Sequence, residues 1–119
     1  EYMEKFLFIT DYISNHFSEN LTLEEVASLA GFSKYHFARL FKQYTNSSFY
    51  KFLNQKRIEY AKSLLLDPEL AVTEVAAQSG FSSLSAFLRM FKQLNLCTPT
   101  EFRSMYDSQL QKTPASGKK

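Results

Sequence analysis

This chain of 119 residues holds one cysteine, two histidines, three glycines and three prolines, and each scarcity closes off a class of protein. A lone Cys97 cannot form an internal disulfide, which argues against a stapled secreted scaffold and fits a reducing cytoplasm. Only His16 and His36 could serve that thiol as a base, and no motif places either beside it, so Cys97 reads as structural. There is no metal-ligand cluster, phosphate-cradling glycine loop or nucleophile–base pair, so an enzyme has little support and no cofactor is implied. No apolar run approaches the length of a membrane span or a signal peptide. So few Gly and Pro argue for helix over a many-turned β architecture.

What is present can fill a core. Hydrophobic residues make up 45% of the chain, with 12 Phe and 7 Tyr, enough for one compact unit or two very small ones. The net charge is only +2, but its placement is uneven. Residues 1–30 carry six acids against one base, whereas residues 31–103 carry ten bases against five acids. The basic surplus begins at Gly31, and that is where a repeat begins.

From Gly31 to Gln43 the chain reads Gly-Phe-Ser-Lys-Tyr-His-Phe-Ala-Arg-Leu-Phe-Lys-Gln, and from Gly80 to Gln93 it says nearly the same again. Upstream of the copies stand Leu23-Glu24-Glu25-Val26-Ala27 and Val72-Thr73-Glu74-Val75-Ala76. Each copy predicts helix, tight turn, helix. Thr22 and Glu25 form a capping box, Gly31 can take the left-handed conformation that ends a helix, and Ser33 can cap the next. At about 100° per residue, Phe37, Leu40, Phe41 and Tyr44 share one face while Tyr35, Arg39 and Lys42 fall opposite. In the second copy Phe87, Met90, Phe91 and Leu94 form the apolar face, and Ser85, Arg89 and Lys92 the outer one. A helix buried on one side and basic on the other, after a glycine turn, suits the reading position of a helix-turn-helix. The bland alternative is a helical hairpin with solvated cations. Two copies with Arg and Lys in register favour DNA binding.

The chain resembles the C-terminal DNA-binding domain of the AraC/XylS transcriptional regulators. The resemblance is carried by Ala30-Gly31-Phe32-Ser33 with Phe37, Arg39, Phe41 and Lys42, and by the run Phe52 to Leu65. It continues through Val75-Ala76, Gly80-Phe81, Phe87 to Lys92 and Pro99 to Arg103. It implies an all-α fold of about seven helices, as two helix-turn-helix subdomains joined by a long linker helix. The expected divisions are 1–47, 48–67 and 68–106, with a disordered tail over 107–119. The resemblance also implies double-stranded DNA as partner, contact with RNA polymerase in activation, and a sensing or receiver domain elsewhere in a longer chain. The start at Glu1 rather than Met fits such a fragment.

Between and around the copies, Tyr2–Phe17 predicts an amphipathic helix closing the first core through Phe6, Ile9, Ile13 and Phe17. Asn46 can end the second helix left-handed, and Ser48 can cap a long helix over Phe49–Leu66, ended by Asp67-Pro68. That helix would span about 27 Å, against the roughly 34 Å between successive major-groove faces on one side of DNA. Arg57 falls inside its broad apolar face and predicts a carboxylate partner in Glu24, Glu25 or Glu74, with a phosphate contact as the functional alternative. Asn95 is the candidate left-handed residue after the second copy. Thr98 and Pro99 open a short last helix to Met105, with Phe102 packed on the second motif.

By resemblance, the base-reading positions are Lys34, Tyr35, Ala38 and Arg39 in the first copy and Ser83, Leu84, Ser85, Leu88 and Arg89 in the second. Arg39 and Arg89 suit the work physically, since a guanidinium can donate twice to guanine O6 and N7. Lys42 and Lys92 suit phosphates, as do the amides near Ser33 and Ser83. Leu84 and Leu88 depart from the polar readers common in the family; they offer thymine-methyl contact, or else tuck partly into the core. Another class of function stays open on these grounds, a helical adaptor whose Leu84/Leu88 patch binds a protein helix. Salt separates the two, because DNA contact weakens steeply with it.

Overall fold

The computed structural model describes residues 2–112, with side chains through Asp107. Its helices are α1 (Met3–His16), α2 (Leu23–Ala30), α3 (Lys34–Thr45), α4 (Phe49–Leu65), α5 (Val72–Gln78), α6 (Leu84–Asn95) and α7 (Pro99–Lys112), and no strand occurs among the described residues. The chain divides into two compact units, one ending at Arg57 and the next beginning at Ile58.

In the first unit, Phe6, Ile9 and Ile13 of α1 meet Val26, Ala27 and Ala30 of α2, Phe37, Leu40 and Phe41 of α3, and Phe49 and Leu53 of α4. Phe6 is the hub: its ring stacks on Phe37 at 5.7 Å and on Tyr44 at 4.9 Å. Tyr44 thereby serves the apolar face while keeping its outer edge exposed. Burying a Phe side chain stabilises by roughly 1.5–3 kcal/mol, so this aromatic stack contributes much of what holds a short unit together. The second unit repeats the plan with Ile58, Ala61, Leu65, Val75, Ala76, Phe87 and Phe91, and Phe102 lies 5.7 Å from Phe91 as Phe52 lies 5.4 Å from Phe41.

The caps follow the repeat. Glu25 N–H donates to Thr22 Oγ1 at 3.1 Å and Thr22 N–H to Glu25 Oε1 at 3.1 Å, the expected capping box. Gly31 (φ 80°) and Gly80 (φ 101°) end the first helices left-handed. The next amides, Phe32 and Phe81, donate to the Ala27 and Ala76 carbonyls. Ser33, Ser83 and Ser48 accept from His36, Ala86 and Lys51 amides, and Thr98 and Glu101 form another reciprocal pair.

Three expectations need correction. Asn46 is left-handed (φ 60°) as predicted, but after α6 the left-handed residue is Leu96 (φ 63°), not Asn95. Asn95 completes the helix, and its amide donates to Phe91 O at 3.2 Å. Leu96 is the register partner of Asn46, and both amides return to a lysine carbonyl, Lys42 or Lys92, at 2.8 Å. The last helix does not stop at Met105. It continues to Lys112, so residues 107–112 of the expected tail are helical, and 113–119 lie outside the described residues.

Arg57 is the third correction. Its Nε donates to Phe17 O at 2.7 Å and its Nη2 to Glu19 O at 2.9 Å, so the guanidinium ties down the α1–α2 loop. The carboxylates foreseen for it are committed elsewhere: Glu24 to Lys34, Glu25 and Glu74 to helix caps. Backbone carbonyls in a half-buried loop need donors as much as a charge needs an acceptor, and one planar fork meets two of them. Burial lowers the Arg57 pKa from its ordinary value, with Tyr50 pulling the other way. In the second unit Arg103 of α7 does the same job, reaching Leu65 O at 2.9 Å, Asp67 O at 3.1 Å and Leu70 O at 2.8 Å in the α4–α5 loop.

The second unit also differs from the first at points where the difference costs stability. Ala71 stands where Thr22 caps its helix, so Glu74 still folds back at 2.8 Å but the returning amide has no side-chain oxygen to meet. Ser79 stands where the first copy has Ala30; it is 0% exposed and its hydroxyl has no hydrogen-bond partner among the described residues. Leu96, 86% exposed, takes a conformation that suits Asn or Gly. Writing the first copy's residue into the second at each place, Ala71→Thr, Ser79→Ala and Leu96→Asn, is expected to stabilise by about 1 kcal/mol apiece. Urea midpoints at constant slope measure it; a loss of stability at Ser79→Ala would mean that hydroxyl is satisfied.

Candidate nucleic-acid interface

Helix α3 turns Phe37, Leu40 and Phe41 inward, which leaves Tyr35, Arg39 and Lys42 outside. Tyr35 is 78% exposed, with Lys34 Nζ 5.5 Å from its ring centre. Ala38 is half-buried. Lys34 is not free: its Nζ lies 3.0 Å from Glu24 Oε2 of α2. That hydrogen bond lowers the Glu24 pKa and raises that of Lys34. Arg39, Ala38 and Lys42 also wall an open groove of about 600 Å³, closed by Leu23, Phe49 and Tyr50. Tyr50 accepts the Leu23 amide on its hydroxyl at 3.2 Å, joining the starts of α2 and α4.

On α6, Phe87 and Phe91 are buried, and Ser83, Leu84, Ser85, Leu88, Arg89 and Lys92 are all exposed. Leu84 keeps 40% and Leu88 38% of its surface, so neither is taken into the core. The hydroxyls of Ser33 and Ser83 are used as helix caps. Every base-reading position foreseen from the sequence thus lies on α3, on α6 or at the cap that starts α6, and each unit brings its own set onto a single helix face.

Lys5 was not foreseen. Its Nζ donates to Ala30 O at 2.7 Å and sits 4.7 Å over the Phe32 ring, clamping the turn that aims α3. A cation at the carbonyl end of α2 also favours the helix dipole. Nothing in the local sequence marks it; only the pairing of α1 with that turn does. Tyr50 and Arg103 were missed likewise, because their partners lie 27 or more positions away in the chain.

A profile described as a helix-turn-helix domain matches residues 26–105, which takes in α3, α6 and the whole of α4. The chain belongs to the AraC family of helix-turn-helix transcriptional regulators. It is 39% identical over 95 residues to an HTH-type transcriptional regulator of Staphylococcus aureus (strain COL), a match covering 80% of this chain and 13% of that protein. The matched AraC-type domain is therefore about an eighth of the length of that relative. Among solved structures it is similar to the C-terminal domain of the two-component response regulator yesN from Fusobacterium nucleatum, with TM-score 0.77 and 32% identity over 81% of this chain and 94% of that one. It is also similar to the DNA-binding domain of AdpA, a global transcriptional factor solved in complex with a target DNA, with TM-score 0.85 and 26% identity over 91% and 97%. Among the described residues no helix is long and apolar enough to cross a membrane. The AraC family consists of regulators rather than enzymes.

Proposed function

We propose that this chain grips double-stranded DNA as a sequence-specific domain of a transcriptional regulator, with α3 and α6 in successive major grooves. Lys34, Tyr35, Ala38 and Arg39 read one segment, and Ser83, Leu84, Ser85, Leu88 and Arg89 the other. Lys42, Lys92 and the amides around Ser33 hold phosphates. The observation that carries this reading is the repeated outward cation pair, Arg39 with Lys42 and Arg89 with Lys92, each one turn along a helix whose other side is buried phenylalanine. The likeness to the AdpA domain, solved with a target DNA, supports it. A sensing or receiver domain elsewhere in the full-length protein is supported by the yesN relative, a response regulator. Activation would proceed by contact with RNA polymerase. A cytoplasmic location suits that role.

Selection from random duplexes followed by a salt titration tests the proposal. With a phosphate contact from each of Lys42 and Lys92 and further ones from backbone amides, log K should fall with log salt by about one unit per cationic contact. A protein-binding adaptor using the same surface would select no sequence and hardly respond to salt.

A further inference from the structure

Leu84 and Leu88 occupy, on α6, the places that Lys34 and Ala38 occupy on α3. Four residues apart, they form one apolar strip along the first turns of the helix. The strip stays out of the second unit's core and is continuous with Arg89, which follows Leu88 directly and is exposed. An isobutyl group has nothing to donate or accept. On the floor of a major groove the largest apolar feature it can meet is the C5-methyl of a pyrimidine; apart from small C–H edges, the rest presents nitrogen, oxygen or amino groups. Arg89 beside the strip supplies the charge that draws it to a polyanion, which a protein-binding apolar patch would not require.

We infer that the α6 half of the target is recognised through pyrimidine 5-methyl groups, thymine or 5-methylcytosine, with Leu84 and Leu88 as the specificity-determining residues. This rests on the DNA-binding reading above. The first copy works differently, with Arg39 and Tyr35 exposed and Lys34 tethered to Glu24, so the two halves of one site are read by different chemistry. Sequence preference in the α6 half should then follow the methyl group rather than the base pair.

The experiment uses the selected duplex and replaces each thymine in turn by deoxyuridine, which deletes the methyl and leaves pairing intact. One or two positions should lose affinity about fourfold each, the worth of one buried carbon. At those positions 5-methylcytosine should bind about fourfold tighter than cytosine. Leu84→Ala and Leu88→Ala, exposed changes that leave the core alone, should bind thymine and deoxyuridine duplexes equally there. If every deoxyuridine duplex binds like the parent, the methyl inference falls and the DNA-binding reading stands. If deoxyuridine sensitivity survives in both leucine variants, the assignment to these residues falls. If no duplex is selected at all, both readings fall together.

Discussion

Phe87→Ala is expected to destabilise the second unit by about 3–5 kcal/mol, the range for truncating a buried Phe in a packed core. Phe87 is fully buried, with Phe81 at 5.3 Å and Phe91 at 5.7 Å, in a cluster built from α4, α5 and α6. The cavity would lie under the helix that carries Leu84, Leu88 and Arg89, so a lost ring should cost stability and also disturb the face proposed to meet DNA. Against a total of roughly 5–15 kcal/mol for a small domain, this is a large fraction. The first unit has its own cluster around Phe6, Phe37 and Phe41, with none of its members in the second. Amide exchange should therefore speed up in α5 and α6 far more than in α1–α3. A loss below about 1 kcal/mol, or equal speeding in both units, would mean that Phe87 is not a keystone of a separate core.

The parts of this fold that could be read in the sequence are those governed by neighbours three or four residues apart. The Thr22–Glu25 box, the left-handed Gly31 and Asn46, the serine caps and the inward Phe37/Phe41 and Phe87/Phe91 pairs all follow from local spacing, and the duplication states most of them twice. The placement of outward residues on α3 and α6 follows from the same periodicity. What could not be read depends on pairs distant in the chain. Arg57 looks like a charge in need of a carboxylate, yet it and Arg103 both gather carbonyls of a loop more than thirty positions earlier. Lys5 on Ala30 and Lys34 on Glu24 are of the same kind. Leu96 is a different failure. Residue preference points to Asn95, while the repeat register points from Asn46 to Leu96, and the register wins because both helices must stop at the same turn for the following helix to start at Ser48 or Thr98.

Arg39→Ala and Arg89→Ala are each expected to cost about 1–3 kcal/mol on the selected site and to relax preference at one base pair. The two arginines share a register position, follow a half-buried Ala38 or an exposed Leu88, and stand on faces whose opposite sides are locked by phenylalanine. Each guanidinium is therefore presented on a rigid helix, and its loss should remove two parallel hydrogen bonds to one base rather than loosen the fold. Lys42→Ala provides the contrast: a phosphate contact should weaken all duplexes alike and lower the salt slope by about one. Lys34 is the instructive intermediate. Its ammonium already donates to Glu24 at 3.0 Å, so any contact with DNA would be shared with that ion pair or weaken it, and Lys34→Ala should cost less than Arg39→Ala on the same helix. Unchanged affinity at fixed salt for both arginine variants would contradict the assignment. Were Lys34→Ala to exceed Arg39→Ala, Glu24 would be releasing its lysine on contact with DNA at little cost, and the first copy would read through an ammonium rather than a guanidinium.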